Sequence, residues 1–134
     1  MEIVKVSYDR NLSCDAIHLD SSAQIKTTAP KDNNGDGTSF SPTDLLCTSL
    51  ATCCLTIMAI KARSGEINFE NVEATVYKEM GSNPRWVQKV KIVFYVPEIW
   101  SGKERKIMEN AAKTCPVFLS LNPEMEKELV FNYR

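Results

Sequence analysis

The segment from Leu45 to Ile60 contains no charged residue, and both of its flanks carry the signals that bound one long helix. Ser41 suits the N-cap, Pro42 suits the first helical position, and Gly65 suits the left-handed residue that closes a helix. At about 1.5 Å per residue, about 22 residues would span roughly 33 Å, enough to cross a small domain. Because its middle carries no charge, we expect this helix to be buried almost all round.

A membrane-spanning helix is the competing interpretation of this segment. The uncharged stretch includes four hydroxyl side chains, whereas a span needs about 20 predominantly apolar residues. We therefore predict a core helix and no membrane partner. The N-terminus shows no basic region followed by an apolar run, so we expect no signal peptide and a cytoplasmic protein.

The length and charge of the chain predict a single domain, residues 1–134, that does not bind nucleic acid. A hydrophobic fraction of 43% in 134 residues is ample for one core. The 16 basic and 17 acidic residues give a formal net charge of -1, which offers no electrostatic attraction to nucleic acid or anionic membranes. Small-molecule or protein partners are favoured instead.

Short alternating segments predict the other elements. Three strands are expected before the long helix, over residues 3–8, 13–19 and 23–28, followed by a polar loop at 29–40. After it we expect a hairpin that turns at 81–84, an amphipathic helix over 102–114, a short helix over 116–121 and a strand over 128–133. The order βββ-α-ββ-α-(short α)-β predicts an α+β fold with the long helix packed on antiparallel sheets.

The five cysteines carry the most distinctive chemistry, and three of them lie on the long helix. An odd number clustered on a helix fits a reducing compartment better than a disulfide framework. With no Cys-x2-Cys pair and only His18 as a histidine, we predict no metal site, and we expect no cofactor. Cys115 directly precedes Pro116 at the mouth of a short helix, where backbone N–H groups favour a thiolate.

Two segments resemble the OsmC/Ohr family of thiol-dependent peroxidases, and the resemblance spans essentially the whole chain. The segments are Ser41-Pro42-Thr43-Asp44-Leu45-Leu46 with Ala51-Thr52-Cys53, and Cys115-Pro116-Val117 after an amphipathic helix. The resemblance implies an intertwined homodimer. In such a dimer, two long central helices pack against curved sheets and the active sites lie at the subunit interface.

The resemblance also implies a peroxidase reaction on two cysteines. Cys53 would be the peroxidatic cysteine, whose thiolate attacks the O–O bond and becomes a sulfenic acid. Cys115 would be the resolving cysteine, which condenses with it to a disulfide. A dithiol reductant, either a lipoyl protein or a thioredoxin-like protein, would restore both thiols.

An apolar pocket beside Cys53 would favour an alkyl tail over hydrogen peroxide, which makes an organic hydroperoxide the expected substrate. The predicted pocket residues are Thr43, Leu46, Leu50 and Ile57. On a helical wheel, the last three of these fall on one apolar stripe with Cys53. Cys47 and Cys54 share a different face, and we interpret both as core packing.

One position departs from the family pattern. Thr43 stands where the family usually has a glutamate that orients an arginine, and this arginine lowers the pKa of the peroxidatic thiol. Asp44 is the candidate substitute for the glutamate and Arg10 the candidate for the arginine, although Asp44 also suits a helix cap and Arg10 also suits an exposed turn. The alternative hypothesis is therefore a non-catalytic protein that binds a hydrophobic small molecule at the dimer interface. A zinc-binding or redox-sensing regulator is the third.

Overall fold

The structure is a computed structural model that describes residues 1–134. Its elements follow the predicted α+β order, with one added 3-10 turn at Lys31–Asn33. They are β1 (Val4–Tyr8), β2 (Ser13–His18), β3 (Gln24–Thr28), α1 (Pro42–Gly65), β4 (Glu73–Gly81), β5 (Trp86–Val96), α2 (Gly102–Ala112), α3 (Pro116–Ser120) and β6 (Glu126–Tyr133). The chain divides into two compact units, residues 1–46 and 47–134.

The first unit contains the antiparallel sheet β1-β2-β3. Its strands are short, and most of their apolar side chains are exposed. Val6 is 60% exposed and Ile25 is 54% exposed. Three polar residues, Ser13, Thr28 and Ser41, are its buried residues. This sheet therefore carries an apolar surface that the chain itself leaves uncovered.

The second unit contains the sheet β4-β5-β6 and most of the hydrophobic core. β4 and β5 form the predicted antiparallel hairpin. From Val90 to Val96, every second residue of β5 is buried, and these residues belong to one core cluster with α1 and α2. The prediction that the apolar face of this hairpin packs with the long helix is confirmed.

β6 pairs with β5 in parallel, so the prediction of purely antiparallel sheets is wrong for this strand. The pairing aligns Ile92 with Leu129 and Phe94 with Phe131. A parallel partner needs a crossover connection, because the chain must return to the starting end of the sheet before the next strand. Here α2 and α3 form that crossover, and they carry Cys115 with them.

α1 is buried along one stripe rather than all round, which corrects the expectation for this helix. Leu46 is 38% exposed and Ile60 is 60% exposed. By length and composition α1 could cross a membrane, but the core helix of a soluble protein meets the same criteria, and here the buried stripe packs into the core. The buried residues of α1 are Cys47, Leu50, Ala51, Cys54, Met58 and Ala62.

The C-terminus of α1 closes one residue later than predicted. Gly65 remains helical, and Glu66 takes the left-handed conformation with φ 55°. The Ile67 backbone N–H donates to the Ala62 carbonyl over 2.9 Å, which is the 6→1 bond of a Schellman motif. A non-glycine residue therefore occupies the position at which glycine is preferred.

Replacing Glu66 by glycine is expected to stabilise the protein by about 1 kcal/mol, because the left-handed conformation costs a residue with a Cβ about that much. Denaturant unfolding would measure the change. Glu70→Gly, at an exposed residue outside the helices and strands, is the matched control and should not stabilise. Equal or lower stability of the Glu66→Gly variant would show that the native conformation at this residue is unstrained.

Candidate functional site

Cys115 occupies the position between α2 and α3 that the sequence predicts. Its backbone is extended, with φ -66° and ψ 140°, as expected for a residue before proline. It is the N-cap of α3, and its Sγ accepts a hydrogen bond from the Phe118 backbone N–H over 3.2 Å. The side chain is fully buried. A sulfur in this position therefore lies against a backbone donor and away from bulk water.

Cys54 is the residue whose sulfur contacts Cys115. The two Sγ atoms are 3.7 Å apart, and both residues have 0% exposure. The Cys54 thiol also donates to the Ala112 carbonyl, with 3.3 Å between Sγ and O. The buried thiol of Cys54 thus contacts both Ala112, the last residue of α2, and Cys115, the N-cap residue of α3.

Cys53 is the neighbouring residue on α1 and differs from Cys54 in exposure. It is partly exposed, while its side chain also packs against the core cluster. Hydrogen bonding between Cys53 and Cys115 is one of the causes that raise the pKa of Cys115. Cys53, Cys54 and Cys115 therefore form a group of three, which we call the thiol cluster. All five cysteines of the chain are free thiols.

Burial is the largest influence on the pKa values of Cys54 and Cys115, and it favours their protonated forms. It strongly raises the pKa of Cys54, and the neighbouring sulfur of Cys115 raises it further. Burial also raises the pKa of Cys115, where the Phe118 N–H opposes it and the Cys54 thiol opposes it more weakly. Cys54 therefore stays a thiol, and its single proton is donated to the Ala112 carbonyl.

These raised pKa values predict that stability falls at alkaline pH. Below about pH 8.5 the thiols are protonated in both the folded and the unfolded chain; above it, only the unfolded chain readily loses the protons. The free energy of unfolding should then fall by up to about 1.4 kcal/mol per pH unit for each such thiol.

Denaturant unfolding between pH 8 and pH 10 would measure this fall, and Cys54→Ala should make it shallower because one of the two thiols is absent. Cys14→Ala is the matched control, because Cys14 lies partly exposed on β2. Equal slopes in the wild type and in Cys54→Ala would contradict the assignment.

Asp44 forms a capping box with Ser41 at the start of α1. The Ser41 backbone N–H donates to the Asp44 carboxylate over 3.0 Å, and the Asp44 N–H donates to Ser41 Oγ over 3.0 Å. The Thr43 hydroxyl lies 3.2 Å from that of Ser41. Asp44 thus has the structural role that its position suits, and a catalytic role for it stays a prediction.

The other predicted site residues lie in diverse environments. Arg10 is exposed in the turn between β1 and β2, and its role as the activating arginine stays a prediction. Leu50 is fully buried, and Ile57 is partly buried against the core. The buried stripe of α1 runs through Cys54, whereas Cys53 is partly exposed and Leu46 is exposed.

The contact between Cys54 and Cys115 is the feature that sequence reasoning missed. Cys54 was correctly expected to pack in the core, on the face that it shares with Cys47. Nothing in the sequence distinguishes a packed thiol from one that contacts a second thiol. No group of three or more His, Cys, Asp or Glu residues is arranged to hold a metal ion.

Two three-stranded sheets and a long core helix define an α+β protein, and a cluster of free thiols is its candidate site. A sequence model described as "OsmC-like protein" matches residues 35–129. The chain therefore belongs to the OsmC-like family. No curated protein sequence is significantly similar to it.

Solved structures agree with this assignment. A protein of Psychrobacter arcticus 273-4, provisionally assigned as an osmotic stress induced and detoxification response protein, is 45% identical; the match covers 98% of this chain and 96% of that one, with a TM-score of 0.95. An OsmC-like protein of Mycoplasma pneumoniae is 18% identical; the match covers 100% of this chain and 96% of that one, with a TM-score of 0.79. An organic hydroperoxide resistance protein OsmC of Legionella pneumophila is 18% identical; the match covers 97% of this chain and 95% of that one, with a TM-score of 0.74.

Proposed function

We propose that the protein is a thiol-dependent peroxidase that reduces organic hydroperoxides in the response to osmotic or peroxide stress. Membership of the OsmC-like family supports the stress role, as does similarity to a relative provisionally assigned to osmotic stress and detoxification. The thiol cluster supports the chemistry. We expect a cytoplasmic protein with neither a nucleic-acid nor a membrane partner.

The observation that carries the proposal is the difference in exposure between Cys53 and Cys115 within one cluster. Cys53 is partly exposed, so a hydroperoxide can reach it, whereas Cys115 is fully buried beside it. The Cys53 thiolate attacks the terminal oxygen, and the O–O bond breaks. Cys53 becomes a sulfenic acid, and the alkoxide leaves as an alcohol after taking up a proton.

Cys115 then resolves the sulfenic acid. Its sulfur attacks the sulfur of Cys53, an S–S bond forms and water leaves. The Phe118 N–H favours the thiolate of Cys115 for this step, against the opposing effect of burial. A dithiol reductant of the lipoyl or thioredoxin-like class attacks the disulfide and returns both thiols.

An alkyl tail is the part of the substrate that the apolar residues around Cys53 would recognise. Ile57, one turn along α1, is partly buried, and Leu46 exposes an apolar side chain. We assign Leu46 and Ile57 to this pocket; Thr43 and the fully buried Leu50 stay predictions. Apolar walls favour an organic hydroperoxide over hydrogen peroxide because they desolvate an alkyl chain at little cost.

We further propose that the protein acts as a homodimer. The first sheet exposes an unusual number of apolar side chains for a strand surface, and α1 exposes Leu46 and Ile60. A second copy would cover such surfaces. Light scattering coupled to gel filtration would report a mass of two chains, and a monomer at micromolar concentration would contradict this part of the proposal.

A peroxide titration tests the proposed reaction directly. The reduced protein is titrated with cumene hydroperoxide and, separately, with hydrogen peroxide. Free thiols are counted, and disulfides are mapped by mass spectrometry. With one equivalent of peroxide per chain, the proposal expects two thiols lost per chain, faster with the organic peroxide, with Cys115 in the disulfide. Survival of all five thiols in a modest excess of peroxide would refute it.

A non-catalytic protein that binds a hydrophobic small molecule is the second candidate. Thr43 favours it, because this residue supplies no carboxylate, and the neighbouring Asp44 carboxylate already accepts the Ser41 N–H. The rate of Cys53 alkylation against pH separates the two candidates. Fast alkylation near neutral pH supports catalysis, whereas a rate that rises only above about pH 8 favours the binding protein.

A further inference from the structure

The proposed reaction makes no use of Cys54, although its sulfur is the one that contacts Cys115. The two Sγ atoms are 3.7 Å apart, and a disulfide bond is about 2.05 Å long, so less than about 2 Å of approach separates the contact from a bond. Cys54 is held on α1. Cys115 lies in extended backbone between two helices, where a small shift does not require either helix to unwind.

We propose that Cys54 exchanges with the Cys53–Cys115 disulfide, which produces a buried Cys54–Cys115 disulfide and returns Cys53 to its thiol form. The first disulfide in this scheme rests on the proposed peroxidase function. In the exchange, the sulfur of Cys54 attacks the sulfur of Cys115. One S–S bond forms and one breaks, and Cys53 leaves with the electron pair and takes up the proton that Cys54 loses. No further oxidant or reductant is needed.

Burial gives this exchange its direction. A disulfide is uncharged, so it is well suited to the core position where Cys54 and Cys115 meet, both with 0% exposure. The thiol that is released belongs to Cys53, which is partly exposed and can contact water.

The same burial makes the exchange slow at neutral pH. Only the thiolate attacks a disulfide efficiently, and Cys54 is held as a thiol that donates to the Ala112 carbonyl. Well below the pKa of the attacking thiol, the thiolate fraction rises about tenfold for each pH unit. The exchange should therefore follow disulfide formation as a separate phase that accelerates at higher pH.

The consequence is a second oxidising equivalent per chain. Once Cys53 is free again, it can react with another hydroperoxide while the first equivalent is stored in the core. A chain in this state has lost three thiols, with Cys53 as a sulfenic acid and Cys115 bonded to Cys54. The stored disulfide would be reduced more slowly than the first one, since an external dithiol reaches a buried sulfur poorly.

The first experiment follows the disulfides of the wild-type protein with time. One equivalent of cumene hydroperoxide is added at pH 7 and at pH 8, and samples are quenched in acid at intervals. Because Cys53 and Cys54 are adjacent, the bond is assigned by fragmenting the peptide bond between them. We expect Cys53–Cys115 first and Cys54–Cys115 later, with the second phase about tenfold faster at pH 8.

Two variants sharpen this experiment. Cys54→Ser should stop at the Cys53–Cys115 disulfide, because a serine cannot continue the exchange. Cys47→Ser is the matched control: Cys47 is a buried cysteine on the same face of α1, and both phases should survive its loss. If Cys54→Ser fails to fold, the wild-type time course decides alone. A wild-type protein that still holds only Cys53–Cys115 at the end of the pH 8 series overturns the proposal.

A second experiment tests the thiol pair without any peroxide. The wild-type protein is equilibrated in reduced and oxidised glutathione buffers, starting once from the reduced and once from the oxidised protein. Convergence on Cys54–Cys115 as the main disulfide supports the proposal. A different main disulfide, or no disulfide involving Cys115, overturns it.

The two proposals can therefore fail separately. If peroxide leaves all five thiols intact while the glutathione buffer gives Cys54–Cys115, the peroxidase function is wrong and the buried dithiol stands. If peroxide produces Cys53–Cys115 and the buffer gives that same disulfide, the peroxidase function stands and the exchange is wrong.

Discussion

Replacing Cys53 by serine is expected to reduce organic hydroperoxide turnover by more than about a thousandfold, to the background rate. A serine hydroxyl is not ionised near neutral pH and does not attack the O–O bond, so no sulfenic acid can form. The helix should be unaffected, since Cys53 is only partly buried and serine is slightly smaller. Coupled consumption of cumene hydroperoxide with a dithiol reductant measures the loss.

Cys14→Ser is the control that matches Cys53→Ser in exposure. Cys14 is also partly exposed, but it lies on β2 rather than in the thiol cluster. Its replacement should leave turnover near the wild-type rate. Should Cys53→Ser retain a substantial part of the activity, another cysteine is the nucleophile, and thiol counts on that variant would identify it.

Replacing Cys115 by serine should separate the first reaction from turnover. The expected result is one rapid equivalent of hydroperoxide consumed, followed by loss of at least about a hundredfold in steady turnover, because no resolving thiol remains. The sulfenic acid on Cys53 should then persist long enough to be trapped by dimedone. Excess peroxide should carry it on to sulfinic acid, which a dithiol cannot reduce.

This variant is expected to fold well, which makes its kinetics interpretable. Cys115 is the N-cap of α3, and its sulfur accepts the Phe118 N–H. Serine is among the preferred N-cap residues and accepts the same bond. Full turnover by Cys115→Ser would show that Cys53 is resolved by the external reductant directly, and the intramolecular disulfide would then have no part in the cycle.

The sequence predicted the elements whose signals are local. The capping box of Ser101 and Glu104 and the break before Pro116 placed α2, α3 and Cys115 correctly. The capping box works through hydrogen bonds within one turn, and the proline works through a steric clash with the residue before it, so neither signal depends on the rest of the fold. The alternation of β4 and β5 predicted the hairpin for the same reason.

Features that depend on distant partners were predicted less well. The uncharged middle of α1 has no polar side from which to read its orientation, so burial was expected almost all round, whereas only the stripe through Cys54 is buried. Strand alternation carries no information about direction, and the parallel pairing of β6 was missed. The contact between Cys54 and Cys115 joins residues 61 positions apart, and no periodic pattern reports such a contact.

The parallel pairing of β6 also affects how the thiol cluster comes into being during synthesis. α1 leaves the ribosome early, whereas the crossover that carries Cys115 is followed by β6, whose parallel pairing with β5 forms only after residues 126–133 are synthesised. Non-local strand pairing of this kind forms late in folding. A nascent chain therefore presents its α1 cysteines before their partner is in place, and in that interval a stray oxidant or a neighbouring chain can reach thiols that the finished fold protects.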